Sequence, residues 1–317
     1  MRSPVLFLVF NRPDTTRQVF EAIRAAKPPR LYVAADGPRI HRQGESERCE
    51  EVRRIATTVD WPCELKTLFR NENLGCKRGV SGGINWFFEN EEEGIILEDD
   101  VLPISSFFSY CDELLERYRH DEKVGVISGC NLISKHYTPN ESYFFSRYNH
   151  VWGWASWRKA WQNYDITMQA WPDWRDKGCL KSISDGNKLF ESKWSNIFQN
   201  VFSGDIDTWD YQWTFACWRH GMISALPSQN QTQNIGCGVD ATHTIGDTPD
   251  YIKESIPEIL KLPLRHPQKI ERSVDADALI DRLVFGITPL NSIKHKIGQI
   301  PVFGEILKQI KKGITHA

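Results

Sequence analysis

Three things are scarce in this 317-residue chain: long apolar runs, paired cysteines and net charge. The N-terminal apolar stretch, residues 5–10, is far shorter than the roughly 20 residues a spanning helix requires, and too short for a signal-peptide core. Eight cysteines are dispersed with no Cys-x-x-Cys pair, which argues against a structural zinc or a disulfide framework and suits a reducing, cytoplasmic compartment. A formal charge of −2 gives no global drive towards nucleic acid or acidic membranes. Gly79, Gly82 and Gly83 do not have dinucleotide or P-loop spacing, so those fingerprints are set aside. The chain has no internal repeat and no low-complexity linker.

Tryptophan, by contrast, is plentiful: 12 residues, most of them between Trp152 and Trp218. Core packing and stacking on sugars or bases would give the same composition. The most informative stretch is Gly94-Ile95-Ile96-Leu97-Glu98-Asp99-Asp100-Val101-Leu102-Pro103. A short apolar run bounded by Gly and Pro reads as a strand buried on both faces, which puts three consecutive carboxylates at its carboxyl end. In open α/β sheets that edge is where ligands bind. Carboxylates this close repel unless a cation neutralises them, and hard oxygen ligands favour Mg²⁺ or Mn²⁺ over zinc.

Around this stretch, strand and helix patterns alternate through the first half. Strands are predicted at residues 5–10, 31–35, 63–69 and 124–128, with amphipathic helices between them, one of them N-capped by Asp14. Such alternation predicts an α/β fold, a mostly parallel sheet with helices on both faces. After about residue 131 the sequence becomes aromatic-rich and less regular, with helices expected at 188–202 and from Asp210 to Gly221. Residues 230–240 read as a mobile loop. This gives an α/β half at 1–130, an aromatic-rich half of the same domain at 131–248, and a helical C-terminal extension at 249–317. In the last residues Ile300, Phe303 and Ile306 mix with Lys308, Lys311 and Lys312; packing on the domain or a partner is the commoner fate of such a segment, and peripheral contact with a membrane surface is the alternative.

The carboxyl ends of the first, second and fourth strands carry Asn11-Arg12, Asp36 and the acidic triplet, all on one predicted sheet edge. Arg12 could neutralise a diphosphate or make a surface salt bridge. Asp36 could accept the imide N–H of uracil or cap a turn. Lys77 and Arg78 sit at a predicted helix start, where backbone N–H groups also favour anions. Together, Asn11-Arg12-Pro13, Ala34-Ala35-Asp36-Gly37, Asn71-Glu72-Asn73-Leu74-Gly75 and Leu97-Glu98-Asp99-Asp100 resemble nucleotide-sugar glycosyltransferases of the GT-A fold. The resemblance covers roughly residues 4–245 and is nearest to the N-acetylglucosaminyltransferase I type and to family 2-like bacterial sugar transferases. It departs from most GT-A enzymes in having Glu-Asp-Asp where they have Asp-x-Asp.

By that resemblance Asp100 would bind the metal, Mn²⁺ or Mg²⁺, Asp99 the ribose side, Glu98 the donor sugar and Asp36 the uracil. A Trp-Asp pair before a helix supplies the catalytic carboxylate in that family, and maps onto Trp209-Asp210, with Asp207 one turn away; helix capping is the plainer role for either acid. Trp152 and Trp154 would form a donor or acceptor wall, or core. Residues 236–244 resemble a lid over the nucleotide, with His243 placed for a metal or diphosphate contact. The resemblance implies an inverting transfer from a nucleotide sugar, most simply a UDP-sugar, to a carbohydrate or glycolipid acceptor. A nucleotidyltransferase making nucleotide sugars, or a non-catalytic nucleotide-sugar-binding protein, would share the sheet.

Overall fold

A computed structural model of the chain describes residues 1–236 and 249–289. Ten strands are described: β1 Val5–Val9, β2 Arg30–Ala35, β3 Glu64–Phe69, β4 Glu93–Glu98, β5 Val101–Pro103, β6 Val124–Ser128, β7 Tyr143–Ser146, β8 Trp154–Trp157, β9 Ile223–Pro227 and β10 Thr232–Asn234. Eight of them form one sheet in the order β3-β2-β1-β4-β8-β6-β9-β7. β3, β2, β1 and β4 run parallel; β8 is antiparallel to both β4 and β6, and β7 is antiparallel to β9. The chain direction is therefore shared by every strand of this sheet except β7 and β8.

Both faces of the sheet are covered. Along β1, Leu6 and Leu8 enter one apolar cluster while Val5, Phe7 and Val9 enter the other, as the period of two in a strand requires. Helices α1 Pro13–Ala26, α2 Glu45–Ala56, α3 Gly75–Asn90 and α4 Ser105–Tyr118 follow strands of the first half. α1 begins with Pro13 at its first position; Arg12 rather than Asp14 is the N-cap, and Asp14 sits in the first turn, because proline's fixed φ is already helical. α3 lies very close to the sheet. A Cβ on Gly83 would come 2.7 Å from Leu8 Cδ2 and 3.2 Å from the Ala34 Cβ, so this glycine serves helix–sheet contact.

The second half contributes α5 Arg158–Trp161, α6 Trp171–Asp176, α7 Lys188–Ser203, α8 Asp210–Arg219, α9 Asp250–Glu254 and α10 Val274–Leu283. Its aromatic residues are largely interior: Trp154, Trp161, Trp171, Trp194, Trp209, Trp213 and Trp218 all belong to one buried cluster. β7, β8 and β9 take their places in the same sheet as the first half, so the irregular-looking stretch after residue 131 is more ordered than its sequence suggested. Residues 232–234, expected within a mobile loop, instead form β10, because Thr232, Gln233 and Asn234 pair with Pro103, Leu102 and Val101 of β5. No helix among the described residues is long and apolar enough to cross a membrane.

Candidate active site

The strand order reverses between β1 and β4, and at that switch point the chain ends of the two strands lie side by side. The Phe10 N–H, just past β1, donates to Asp99 Oδ2 at 2.9 Å, and Arg12 Nη1 pairs with Asp100 Oδ2 at 2.7 Å. Both members of the Arg12–Asp100 pair are about four-fifths buried. Two of the three predicted carboxylates are thus held by the β1 loop. Burial first, then Asp100, pushes the buried Asp99 up to about 7, against the Phe10 N–H and Arg12. Glu98 is raised well above the ordinary carboxylate range by its recessed position and by Asp100, Asp99 and Asp210, with Arg12 opposing. The site accumulates negative charge faster than Arg12 offsets it, so it favours a cation or protons.

Asp36, past β2, faces the start of α3. Its carboxylate accepts the Leu74 N–H at 2.9 Å on Oδ2 and 3.1 Å on Oδ1. The loop around it is tightly made: the Gly37 N–H donates to Glu72 O at 3.2 Å, and Asn73 Nδ2 donates to Gly37 O at 3.0 Å. A Cβ at Gly37 would fall 2.5 Å from the Glu72 backbone, so only glycine allows this approach. Burial raises Asp36, with the Leu74 and Gly37 N–H groups and the Arg70 charge pulling the other way. Arg70 itself donates to Gly79 O at 3.0 Å, which places an unexpected cation beside Asp36. Lys77, half-buried, and Arg78, exposed, lie in the first turn of α3 and make no ion pair among the described residues. Asn11 turns to Glu45, its Nδ2 donating to Oε1 at 2.8 Å, and so braces the loop after β2.

From the other half, α8 brings Asp210 as its first residue. Trp209 is the N-cap and neither aspartate makes a capping bond; instead the Thr208 hydroxyl donates to Asp210 Oδ1. Asp207 is exposed and lies near Gly75, where a Cβ would come 3.6 Å from Asp207 Oδ2. Cys76, which no sequence pattern singled out, sits among all of these acids. Its thiol is pushed up to about 12 by burial, then by Glu98, Asp210, Asp207 and Asp100. Tyr164 is another such neighbour, raised by burial and, in part, by Asp210. The start of α3 is therefore where carboxylates from β4 and α8 converge.

Trp154 and Trp209 are core residues in this arrangement, 0% and 3% exposed, with ring centroids 5.9 Å apart and planes at 21°. They back the site and present no open face to it. Trp152, two residues away, is only half-buried. His243, with the rest of the anticipated lid at 237–244, lies outside the described residues. The segment leading there is close to the acids: the Ile235 N–H donates to Asp100 O at 2.8 Å, and a Cβ on Gly236 would meet Asp100 Oδ2 at 2.3 Å and Arg12 Nη1 at 2.8 Å.

Among the described residues no group of three His, Cys, Asp or Glu side chains is arranged to hold a metal ion by itself. The donors at the triplet are all carboxylate oxygens, and Mg²⁺ is commonly held by one or two carboxylates with phosphate and water completing its shell. The residues fit an ion shared with a diphosphate and do not fit an all-protein cage.

No protein-family model matches the chain, and no curated protein is significantly similar to it. Solved structures with partial likeness include HddC from Yersinia pseudotuberculosis, 9% identical over 50% of this chain and 77% of that one, TM-score 0.29. The same protein complexed with GMP-PN overlaps equally at 7% identity and TM-score 0.31. Mouse xyloside xylosyltransferase 1, apo form, is 10% identical over 70% of this chain and 84% of that one, TM-score 0.34. Overlaps at this level assign no family and no activity.

Proposed function

We propose that this chain is an inverting glycosyltransferase of the GT-A type, moving a sugar from a UDP-sugar to a hydroxyl of a carbohydrate or glycolipid acceptor. The observation that carries the reading is the convergence of Arg12, the Glu98-Asp99-Asp100 triplet and the separate acid Asp210 on the start of α3. Asp36 is suited to the base, and Arg12, Lys77 and Arg78 to the diphosphate, where the backbone N–H groups opening α3 add a favourable field. Glu98 and Asp99 would meet the donor sugar and the ribose, and Asp100 would hold Mn²⁺ or Mg²⁺. Such an ion, when bound, supplies Lewis-acid stabilisation of the charge on departing UDP.

Asp210 is the proposed base. It takes the acceptor hydroxyl proton while that oxygen bonds to the anomeric carbon and the bond from that carbon to the UDP oxygen breaks. Attack from the face opposite UDP inverts the centre through an oxocarbenium-like transition state. Thr208 supports the assignment by orienting the Asp210 carboxylate. Residues 1–130 would then serve the nucleotide, residues 131–248 the acceptor, and residues 249–317 would be an extension, in a protein we place in the cytoplasm. A nucleotidyltransferase is the competing reading, favoured by the crowding of acids at one strand end. Product analysis with UDP-sugars and a panel of saccharide acceptors separates them. Free UDP with a glycosylated product supports transfer; pyrophosphate released from UTP and a sugar 1-phosphate, offered in a parallel reaction, supports nucleotidyl chemistry and overturns it.

A further inference from the structure

Beyond β5 and β10 lies a cavity of about 220 Å³ whose lining includes none of Arg12, Asp36, Lys77, Arg78 and the acidic triplet. Its wall combines the half-buried Trp152 with Cys130, Leu132, Ile252 and Ile256, and adds Gln233 and Lys253. Resting on the glycosyltransferase reading, we infer that this cavity is the acceptor subsite and receives one pyranose unit of the acceptor. Size argues first. Liquid water occupies roughly 30 Å³ per molecule, so the cavity displaces about seven waters. It falls below the roughly 300–1,000 Å³ of pockets that enclose drug-sized ligands, which fits a single sugar ring better than an oligosaccharide or a lipid chain.

Chemistry argues second. A pyranose has an apolar C–H face and a hydroxylated edge, and the wall offers an aromatic ring for the first and an amide for the second. The other polar groups of the wall are already committed. Asn230 donates to Thr232 O and Ser255 O and accepts the Asn131 N–H, while the Thr232 hydroxyl donates to Trp152 O at 2.7 Å. The Gln233 amide is exposed and makes no side-chain hydrogen bond among the described residues. Among the described residues Lys253 is the only charged side chain in the wall, held loosely by Asp250 at 3.7 Å, so an acidic sugar is tolerated.

Position argues third. Gln233 pairs with Leu102 and Asn234 with Val101, the residue after Asp100, so one wall of the cavity is continuous with the acidic triplet. On the other side Trp152 is joined through Gly153 to Trp154, which stacks on Trp209 immediately before Asp210. The cavity is thus tied through β5 to the donor carboxylates and through the start of β8 to Trp209, the residue before the proposed base.

The test is saturation-transfer NMR on the full chain with methyl glycosides of glucose, galactose, N-acetylglucosamine and glucuronic acid, with UDP affinity measured on the same samples. At least one glycoside should receive saturation at its ring protons. The signal should vanish in Trp152→Ala, persist in Trp152→Phe and fall at least five-fold in Gln233→Leu, while UDP affinity changes less than two-fold. If Trp152→Ala does not fold, the exposed Gln233 decides. UDP binding with no glycoside contact, or contact unchanged in Trp152→Ala and Gln233→Leu, overturns the subsite and leaves the donor reading standing. Glycoside contact without UDP binding removes the donor reading, and with it the acceptor role of the cavity.

Discussion

At the scale of single residues, Asp210 and Glu45 show how differently two acids can be employed. Asp210 opens α8, partnered by the Thr208 hydroxyl and close enough to Glu98 to raise it. Asp210→Asn should retain UDP binding and lower turnover by roughly 10²–10⁴-fold, the usual worth of a positioned acid or base. Initial rates with the same donor and acceptor check this, and a comparable loss in Asp207→Asn alone would move the base to that residue. Glu45 is fully buried and has a structural task. It receives Arg39 Nη2 at 2.5 Å and the Arg39 N–H at 2.7 Å, besides Asn11. The Arg39 hydrogen bond holds it down to about 2 from an ordinary 4.5. Because the folded value is depressed, its contribution is full above about pH 4.5 and is lost as pH falls towards 2. Glu45→Gln should therefore cost about 1–3 kcal/mol at neutral pH, and denaturation curves of variant and parent should converge in acid. The acids of the triplet and Asp36 could be picked out of the sequence because they follow apolar runs. Cys76 and Arg70 could not, since their meeting with distant carboxylates depends on how α3 crosses the sheet.

At the scale of elements, the alternation of the first half was legible in its periodicity, and β1 to β4 with α1, α3 and α4 lie close to where it put them. What escaped was pairing between distant segments. Thr232-Gln233-Asn234 has no strand signature, and becomes β10 only because β5 offers an edge beside the acidic triplet. β7 and β8 were hidden by their continuous burial, which gives no alternation to read. The consequence of the β5–β10 pairing is that Gly236 is delivered against Asp100 and Arg12. An added methyl there must displace the Asp100 backbone side of the pair as well as its carboxylate, since the Asp100 Cβ is only 2.7 Å away. Gly236→Ala should weaken UDP-sugar binding by roughly tenfold, about 1.4 kcal/mol, with little change in melting temperature. Calorimetry and a thermal melt on the same preparation check both halves of the statement.

At the scale of the whole molecule, the sheet separates two apolar clusters, and the tryptophan-rich half fills one of them. The abundance of tryptophan was therefore chiefly a packing signal; Trp86, Trp152 and Trp174 are half-buried, and of these Trp152 lines the cavity. α10 is clamped to this body by charge: Arg147 Nη2 reaches Asp281 Oδ2 at 2.7 Å, Arg272 Nη1 reaches Asp277 Oδ2 at 3.0 Å, and Ser146 Oγ donates to Asp277 Oδ1. Removing one buried partner strands the other, so Asp281→Ala should cost about 3–5 kcal/mol, and the paired change Arg147→Met with Asp281→Leu should recover much of it. Urea unfolding of the three variants measures this, and UDP affinity should be unaffected because the clamp lies away from the triplet.

The account stands on the acidic triplet as the place where a nucleotide sugar and a divalent ion meet, with Arg12, among the described residues, as the cation pairing with Asp100. Calorimetric titration of a UDP-sugar into the parent chain and into Asp100→Ala, each with and without Mn²⁺, tests it most directly. The account predicts binding that strengthens markedly with Mn²⁺ in the parent and loses that dependence in the folded variant. Equal affinity in all four titrations, or no binding in any, would contradict it.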